Sequence, residues 1–436
     1  MMENISILKA NIISVSPLFI GDNQQNPLMD DGGQMAYLPA TSIAGAFRAY
    51  LKNIGKDYKK LFGTHEEKNS VMSSVYIKDS FAQINNFDRR DGVKIDNEFG
   101  TNVEGQKIER MFVGQGLEFE LCFEIHSDNE DMKELKEMLY SCLKALDKGL
   151  IRFGGNKSNG LGIFELVEAK EVNFNLVNNL DDLIKYLNND YSNSIDVKKN
   201  IGNITLSEDY VEFNMKGQLT TPLIIKSPKT FDSKDVDDRS FKLEDEYLIP
   251  GSSFKGVLRS RVEKIGNFFD NLEGAEAIFG TINTQKKKEK KDNILSRVFV
   301  SESIIDNREF EEKVYNRTKI DRFTGGVRTG ALMNDIPVKG NTQFNVIYRK
   351  TGNKNFDNYA IGILTLAFRD LGTENLALGG NNNIGRGRFK ADTMYIDDGV
   401  DIINIDFNKR TIYNEEKLDF YVKEVKDFKY EEGENE

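Results

Sequence analysis

Histidine is almost missing from this chain. Of its 436 residues only His65 and His126 are histidine, and neither has partners at the spacing of a metal site or a nucleophile–base triad. His65 reads as a loop residue and His126 as a strand-end residue, so catalysis that leans on a histidine general base has little to draw on. Cysteine is as scarce: Cys122 is expected in a strand and Cys142 on the core face of a helix, which argues against a disulfide framework and fits a reducing cytoplasm. No apolar run approaches eighteen residues, so no membrane span is expected. Ile5-Ser6-Ile7-Leu8 leads straight into a strand with no basic segment before it, and no secretory signal is expected either. A P-loop Lys-Ser/Thr is also missing; Gly-Gly-Asn-Asn-Asn does not replace it.

Positive charge is in deficit as well. The net charge of −11 argues against a general nucleic-acid binder, although residues 401–436 alone carry eleven acids against six bases. What a nucleic-acid surface needs is a basic stripe, not a basic average. The densest basic run, Lys286-Lys287-Lys288-Glu289-Lys290-Lys291, lies in an insertion and reads as a solvated loop. A hydrophobic content of 39%, with 10% aromatics, suits cored globular domains.

What is present is present twice. Tyr37-Leu38-Pro39-Ala40-Thr41-Ser42-Ile43-Ala44-Gly45-Ala46-Phe47-Arg48 is answered by Leu248-Ile249-Pro250-Gly251-Ser252-Ser253-Phe254-Lys255-Gly256-Val257-Leu258-Arg259. Each copy reads as a strand end, a proline that cannot extend the ladder, hydroxyl residues, then a helix. Thr41 and Ser42, or Ser252 and Ser253, are expected to cap that helix. Its positive dipole end would then seat a phosphate, with Arg48, or Lys255 and Arg259, close behind.

Four further pairs follow in the same order. Leu61-Phe62-Gly63-Thr64 matches Ile278-Phe279-Gly280-Thr281, and Ser74–Ser80 matches Arg297–Ser303. Val93-Lys94-Ile95-Asp96-Asn97 matches Thr318-Lys319-Ile320-Asp321-Arg322, and Phe153–Gly162 matches Leu378–Gly387. The offset only widens, from 211 (Pro39 to Pro250) through 217 (Gly63 to Gly280) to 225 (Asp96 to Asp321, Gly155 to Gly380). That is the signature of a tandem duplication whose second copy gained two insertions.

Periodicity predicts the same elements in each copy. Strands are expected over 5–16, 71–81, 111–125 and 161–167, with helices over 41–54 and 135–146. In the second copy the strands fall near 210–221, 296–304, 341–349 and 384–396, and the helices near 252–269 and 357–372. Each copy therefore reads β-α-β-β-α-β, and the fold class is α+β: two tandem ferredoxin-like domains. The boundaries expected are 1–169 for the first, 170–204 for a connector, 205–400 for the second, and 401–436 for an extension ending in an acidic tail.

One glycine loop follows the second helix of each copy: Gly154-Gly155-Asn156-Lys157-Ser158-Asn159-Gly160, and Gly379-Gly380-Asn381-Asn382-Asn383-Ile384-Gly385-Arg386-Gly387-Arg388. Without side chains in the way, main-chain N–H groups there can meet a phosphate backbone closely, and Lys157, Arg386 and Arg388 supply charge.

The ordered set resembles the RAMP superfamily: Pro-[Gly/Ala]-[Ser/Thr]-Ser helix start, Phe-Gly, Val-Phe-Val-Ser-Glu-Ser, Lys-Ile-Asp-Arg-x-Thr-Gly, then the glycine loop. It is most similar to the Cas-seven-type backbone subunits of CRISPR type III effector complexes, here as two fused copies of type III-D-like character. The resemblance implies that the glycine loop and first helix grip a guide RNA (crRNA). It implies that the Lys-Ile-Asp excursion, with Lys319 and Arg322, forms a thumb that interrupts guide–target pairing, and that the partners are crRNA, target RNA and other effector subunits. It also implies target-RNA cleavage with Mg²⁺ or Mn²⁺, by an Asp in the loop after the first strand.

Carried over to this chain, that Asp is Asp238, as both catalytic residue and metal ligand, with Asp237 and Asp235 as alternates. In the first copy the aligned residue is Gln25, a departure from the pattern, and Asp22 would have to substitute. Two readings stay open beside the nuclease: a structural subunit of the same filament without catalysis, and a stand-alone RNA-processing protein.

Overall fold

The computed structural model describes residues 4–21, 26–64, 70–95, 102–127, 131–207, 209–228, 236–281 and 294–430. It divides into two compact units: Met1–Asp88, Met111–Lys157 and Leu161–Ser207 form the first; Arg89–Arg110, Ser158–Gly160 and Glu208–Glu436 form the second. Among the described residues no helix is long and apolar enough to cross a membrane.

The chain opens with β1 (Asn4–Ser14), β2 (Met35–Leu38), α1 (Ala40–Asn53), α2 (Tyr58–Phe62), β3 (Val75–Ile77) and β4 (Ser80–Gln83). A two-stranded hairpin of β5 (Phe87–Ile95) and β6 (Asn102–Val113) follows, most of it grouped with the second unit. Next come β7 (Glu118–Ser127), α3 (Met132–Asp147), β8 (Phe164–Asn175), α4 (Leu180–Leu187), β9 (Ile195–Asp196) and α5 (Lys198–Gly202). The main sheet of the first unit has the order β3-β7-β1-β8-β9, antiparallel throughout. Leaving out the edge strand β9, that is the strand order of a ferredoxin-like β-α-β-β-α-β unit. Leu135, Leu139, Cys142, Leu143 and Leu146 give α3 its buried stripe, and Phe47 of α1 stacks on Phe123 of β7 with ring centres 5.6 Å apart.

The second unit repeats the plan. Its elements are β10 (Tyr210–Leu219), β11 (Asp238–Arg239), β12 (Lys242–Leu243), β13 (Glu246–Ile249), α6 (Gly251–Phe268), α7 (Leu272–Phe279), β14 (Val298–Val300) and β15 (Ser303–Asp306). They continue through β16 (Tyr315–Ile320), β17 (Val327–Ile336), β18 (Asn341–Arg349), α8 (Lys354–Gly372), β19 (Thr373–Ala377), β20 (Arg388–Asp397), β21 (Ile402–Asp406), β22 (Thr411–Tyr413) and α9 (Glu415–Asp427). Strand β14 pairs with β18, β18 with β10 and β10 with β20, all antiparallel, which reproduces β3-β7-β1-β8. Phe254 of α6 stacks on Phe344 of β18 at 4.5 Å, as Phe47 does on Phe123. Even the irregularities recur: the register of β1 against β8 shifts at Asn11/Ile12, and that of β10 against β20 at Lys216/Gly217.

Two expectations need correction. Residues 170–204, expected as a connector, belong to the first unit: β8 runs on to Asn175, β9 pairs with it, and Val197 and Ile201 bury their side chains. The expected strand 111–125 is two strands, because Gly116, at φ +80°, turns the chain between β6 and β7. The extension after residue 400, as far as it is described, adds two strands and a helix to the second unit. Strands β21 and β22 widen the second sheet, and Leu418, Tyr421 and Val425 of α9 are buried in the core that holds α8.

Candidate functional site

The glycine loops are built alike. Gly155 donates its N–H to the Phe19 carbonyl at 2.6 Å, and Gly380 donates to Ile224 at 2.8 Å. Gly162 donates to Pro17, and Gly387 to Pro222, both at 3.0 Å. Each loop thus hangs on the main chain that follows the first strand of its repeat. Gly154 (φ +80°) and Gly379 (φ +68°) leave no room for a side chain: a Cβ would lie 2.3 Å from the Phe19 oxygen and 2.5 Å from the Ile224 oxygen. Asn156 and Asn381 take the next left-handed positions, which asparagine tolerates. Gly154, Gly155 and Asn156 are half-buried and Lys157 is exposed; Gly380 is exposed, while Gly379 and Asn381 are half-buried. Both loops lie at the surface.

The helix starts differ from expectation. The N-cap of α1 is Pro39 and that of α6 is Pro250, each without a side-chain capping bond. Thr41, Ser42, Ser252 and Ser253 fall inside the first turn, past the extended position from which an N-cap oxygen reaches back. At α1 the acceptor comes from elsewhere: Asp79 Oδ1 takes the Ala40 N–H at 2.7 Å, and its other oxygen takes the Tyr37 hydroxyl at 2.9 Å. At α6, within the second unit, a Cβ on Gly251 would lie 2.2 Å from the Asn159 carbonyl oxygen, so the start of that helix is covered. Glu302, the counterpart of Asp79, holds the guanidinium of Arg90 with both carboxylate oxygens, and Arg90 lies over the Phe241 ring at 5.2 Å. The seat proposed for phosphate is therefore engaged by the protein itself in both copies.

The basic residues expected nearby divide into exposed and buried. Arg48 is exposed over the Tyr58 ring, and Arg259 pairs with Glu263 at 2.6 Å. Lys255 is a correction: it is 8% exposed and donates to Ser296 Oγ at 2.8 Å, because its position on α6 faces the core side with Phe254 and Leu258. Arg388 donates to the Glu374 carbonyl at 2.6 Å. Arg386 is the second correction, since only 7% of its side chain is exposed.

Arg386 leads to an arrangement no sequence pattern announced. Its Nη2 donates to Asp335 Oδ1 at 2.8 Å, and Arg317 Nη2 reaches Asp335 Oδ2 at 2.5 Å. Asp335 is fully buried between the two cations, and Arg386 Nη1 and Arg317 Nε are buried without an acceptor among the described residues. Asp335 stands in β17 directly opposite Asp238 of β11, the two strands running parallel. Asp237 clamps the same place: its N–H donates to Asn334 Oδ1 at 2.6 Å, and its carboxylate accepts the Asn334 N–H at 2.9 Å. Asp238 is half-buried, with Lys226 Nζ 2.7 Å from Oδ2. So the acidic loop, the base of the β16–β17 hairpin and the glycine loop of the second copy meet at one spot.

The hairpin itself carries Lys319 and Arg322, both exposed, to a tip at which Phe323 is 100% exposed. Asp321 folds that tip by accepting the N–H groups of Thr324 and Phe323, each at 3.0 Å. Those two N–H groups hold its carboxyl below the ordinary carboxylate range.

Asp22 and Asp235 lie outside the described residues, as do Gln25, His65 and the lysine run 286–291. Among the described residues no three His, Cys, Asp or Glu side chains gather to hold a metal ion. A lone carboxylate already paired with an ammonium group is not a preformed Mg²⁺ cage. The donor set described here does not fit the expected metal.

The family model of the RAMP superfamily matches residues 11–165 and 216–390, one match in each repeat. No curated protein matches the chain.

Proposed function

This chain belongs to the RAMP superfamily, whose members serve CRISPR systems as RNA-binding proteins, and on that premise we propose that it is a backbone subunit of a type III effector complex. Its two repeats hold guide RNA and the target paired with it, beside other effector subunits. The protein reads backbone and shape while base pairing reads sequence. The glycine loops grip phosphates, and the β16–β17 tip enters between paired segments.

The second repeat also cuts the target. The Asp238 carboxylate takes the proton of a target 2′-hydroxyl. The freed 2′-oxygen attacks the adjacent phosphorus, the bond to the 5′-oxygen breaks, and a 2′,3′-cyclic phosphate remains. Lys226, 2.7 Å from Asp238, supplies positive charge to the phosphorane and a proton to the departing oxygen. The observation that carries this reading is that Asp238 lies opposite Asp335, which holds Arg386 of the glycine loop.

In a reconstituted complex Asp238→Ala should remove the cut while target affinity stays within about twofold; an unchanged cleavage pattern would overturn the assignment. EDTA separates two chemistries: a cut that survives it needs only the Asp238–Lys226 pair, and a cut lost in it takes an ion brought by the RNA phosphates. The Lys226–Asp238 ion pair also favours a second reading, a filament subunit without catalysis. Under that reading no change at Asp237 or Asp238 alters any product.

A further inference from the structure

We infer that Asp335, held between Arg386 and Arg317, is a positioning residue that fixes where Asp238 lies, and that the second repeat alone possesses it. The inference rests on the cleavage reading above.

Strand β11 is two residues long, with Asp238 half-buried and Arg239 exposed. Its place is set by neighbours on both sides. Ser227 donates to the Arg239 carbonyl at 3.0 Å, Phe241 donates to Ile225 at 2.7 Å, and Ser240 donates to Ile336 at 3.0 Å. With the Asp237–Asn334 clamp, three of the residues around Asp238 thus take their position from residues 334–336 of β17. That stretch of β17 is fixed in turn by the Asp335 carboxylate, which is fully buried and accepts from two guanidinium groups on different elements. Arg386 belongs to the glycine loop that follows β19, and Arg317 to β16. The carboxylate therefore ties the part that grips RNA, the base of the hairpin and the strand bearing Asp238 to one point. Charge-assisted bonds between buried groups hold geometry closely because any drift leaves a buried charge unpaired.

The first repeat shows that the fold does not need this device. The paired bridges Leu18↔Val113 and Leu223↔Val338 put the two repeats in register at an offset of 225 beside β6 and β17. At that offset Arg110 stands where the second repeat has Asp335, Gly92 where it has Arg317, and Leu161 where it has Arg386. The glycine loop of the first repeat keeps its main-chain bonds without any of the three. A triad present only beside the retained Asp238 serves the reaction rather than the loop.

The test uses the reconstituted complex with guide RNA and compares Arg386→Leu, which installs the first repeat's residue, with wild type. The expected result is a single-turnover cleavage rate about 10- to 100-fold lower at saturating target, with target affinity within about twofold, the size of effect that a misplaced reacting group produces. Added guanidinium ion should return part of that rate to Arg386→Leu and none to Asp238→Ala, a readout that general loss of structure would not give. Cleavage by Arg386→Leu at the wild-type rate overturns the inference. Should that variant fail to assemble, Arg317→Lys, at a side chain 30% exposed, carries the same comparison with the same two outcomes. If Asp238→Ala itself cuts normally, the cleavage reading fails and takes this inference with it. If Asp238→Ala is inactive while both arginine variants cut normally, the positioning claim alone is lost.

Discussion

Gly379 sits at φ +68° with the Ile224 carbonyl oxygen 2.5 Å from where a Cβ would be. An alanine there meets two penalties at once, a left-handed backbone and a close main-chain contact. The first alone costs about 1–3 kcal/mol. Gly379→Ala should therefore lower unfolding free energy by at least about 1 kcal/mol in urea titrations, whereas Asn381→Gly, at a position already left-handed, should change it by only a few tenths. Equal effects from the two would refute the geometry. The glycine loops were legible because backbone conformation and residue type are coupled at one position. Partners across the fold were not. Nothing local marks Lys255 as buried on Ser296, Asp79 as the acceptor at the start of α1, or Asp335 as the centre of a triad. Those depend on which strands meet, a fact held by no short stretch of sequence.

Elements were read well wherever one period ran unbroken. The stripe of α3, the strand β18 and the helix α8 all stand where hydrophobic spacing placed them. Reading failed where a strand outran its pattern, as β8 does. The helix α9 is fixed by polar anchors that no pattern shows. Asp398 accepts the N–H groups of Asp401 and Val400 at 2.7 and 2.8 Å and the Tyr421 hydroxyl of α9, with Lys417 of α9 3.6 Å away. Burial pushes its carboxyl up, but these partners outweigh it and the net shift is downward. A carboxyl lowered in the folded state adds stability that is complete above its unfolded value, about 3.9, and disappears as pH falls through the lower folded value. The anchorage of α9 should thus hold across neutral pH and loosen only in acid. Hydrogen exchange over residues 415–427 should rise in Asp398→Asn at pH 7, and that variant should lose less on acidification than wild type. An acid response identical to wild type would show that other groups hold the helix.

At the scale of the whole chain the duplication was the most legible feature, since five ordered matches survive in the sequence and the sheet order, the bulge and the glycine-loop bonds repeat with them. How the copies differ was only partly visible. Gln25 signalled the departure in the first copy, but its weight depends on a triad that sequence did not reveal, because Leu161 against Arg386 looks like an ordinary loop substitution until Asp335 is found beside it. The two copies are alike in what holds a backbone and unlike in what would aim a carboxylate. On the cleavage reading, a complex built on this chain should therefore make one cut in target RNA per chain, although each chain carries two glycine loops. Mapping 5′ ends of products from complexes with a known number of chains counts the cuts directly. Mixing Asp238→Ala chains into the complex should reduce every product in proportion to the mutant fraction, and a complex made wholly of that variant should leave the target whole. A second set of cuts persisting in the all-variant complex would mean that the first repeat cleaves without the triad, and that Arg110 and Leu161 are no obstacle to it.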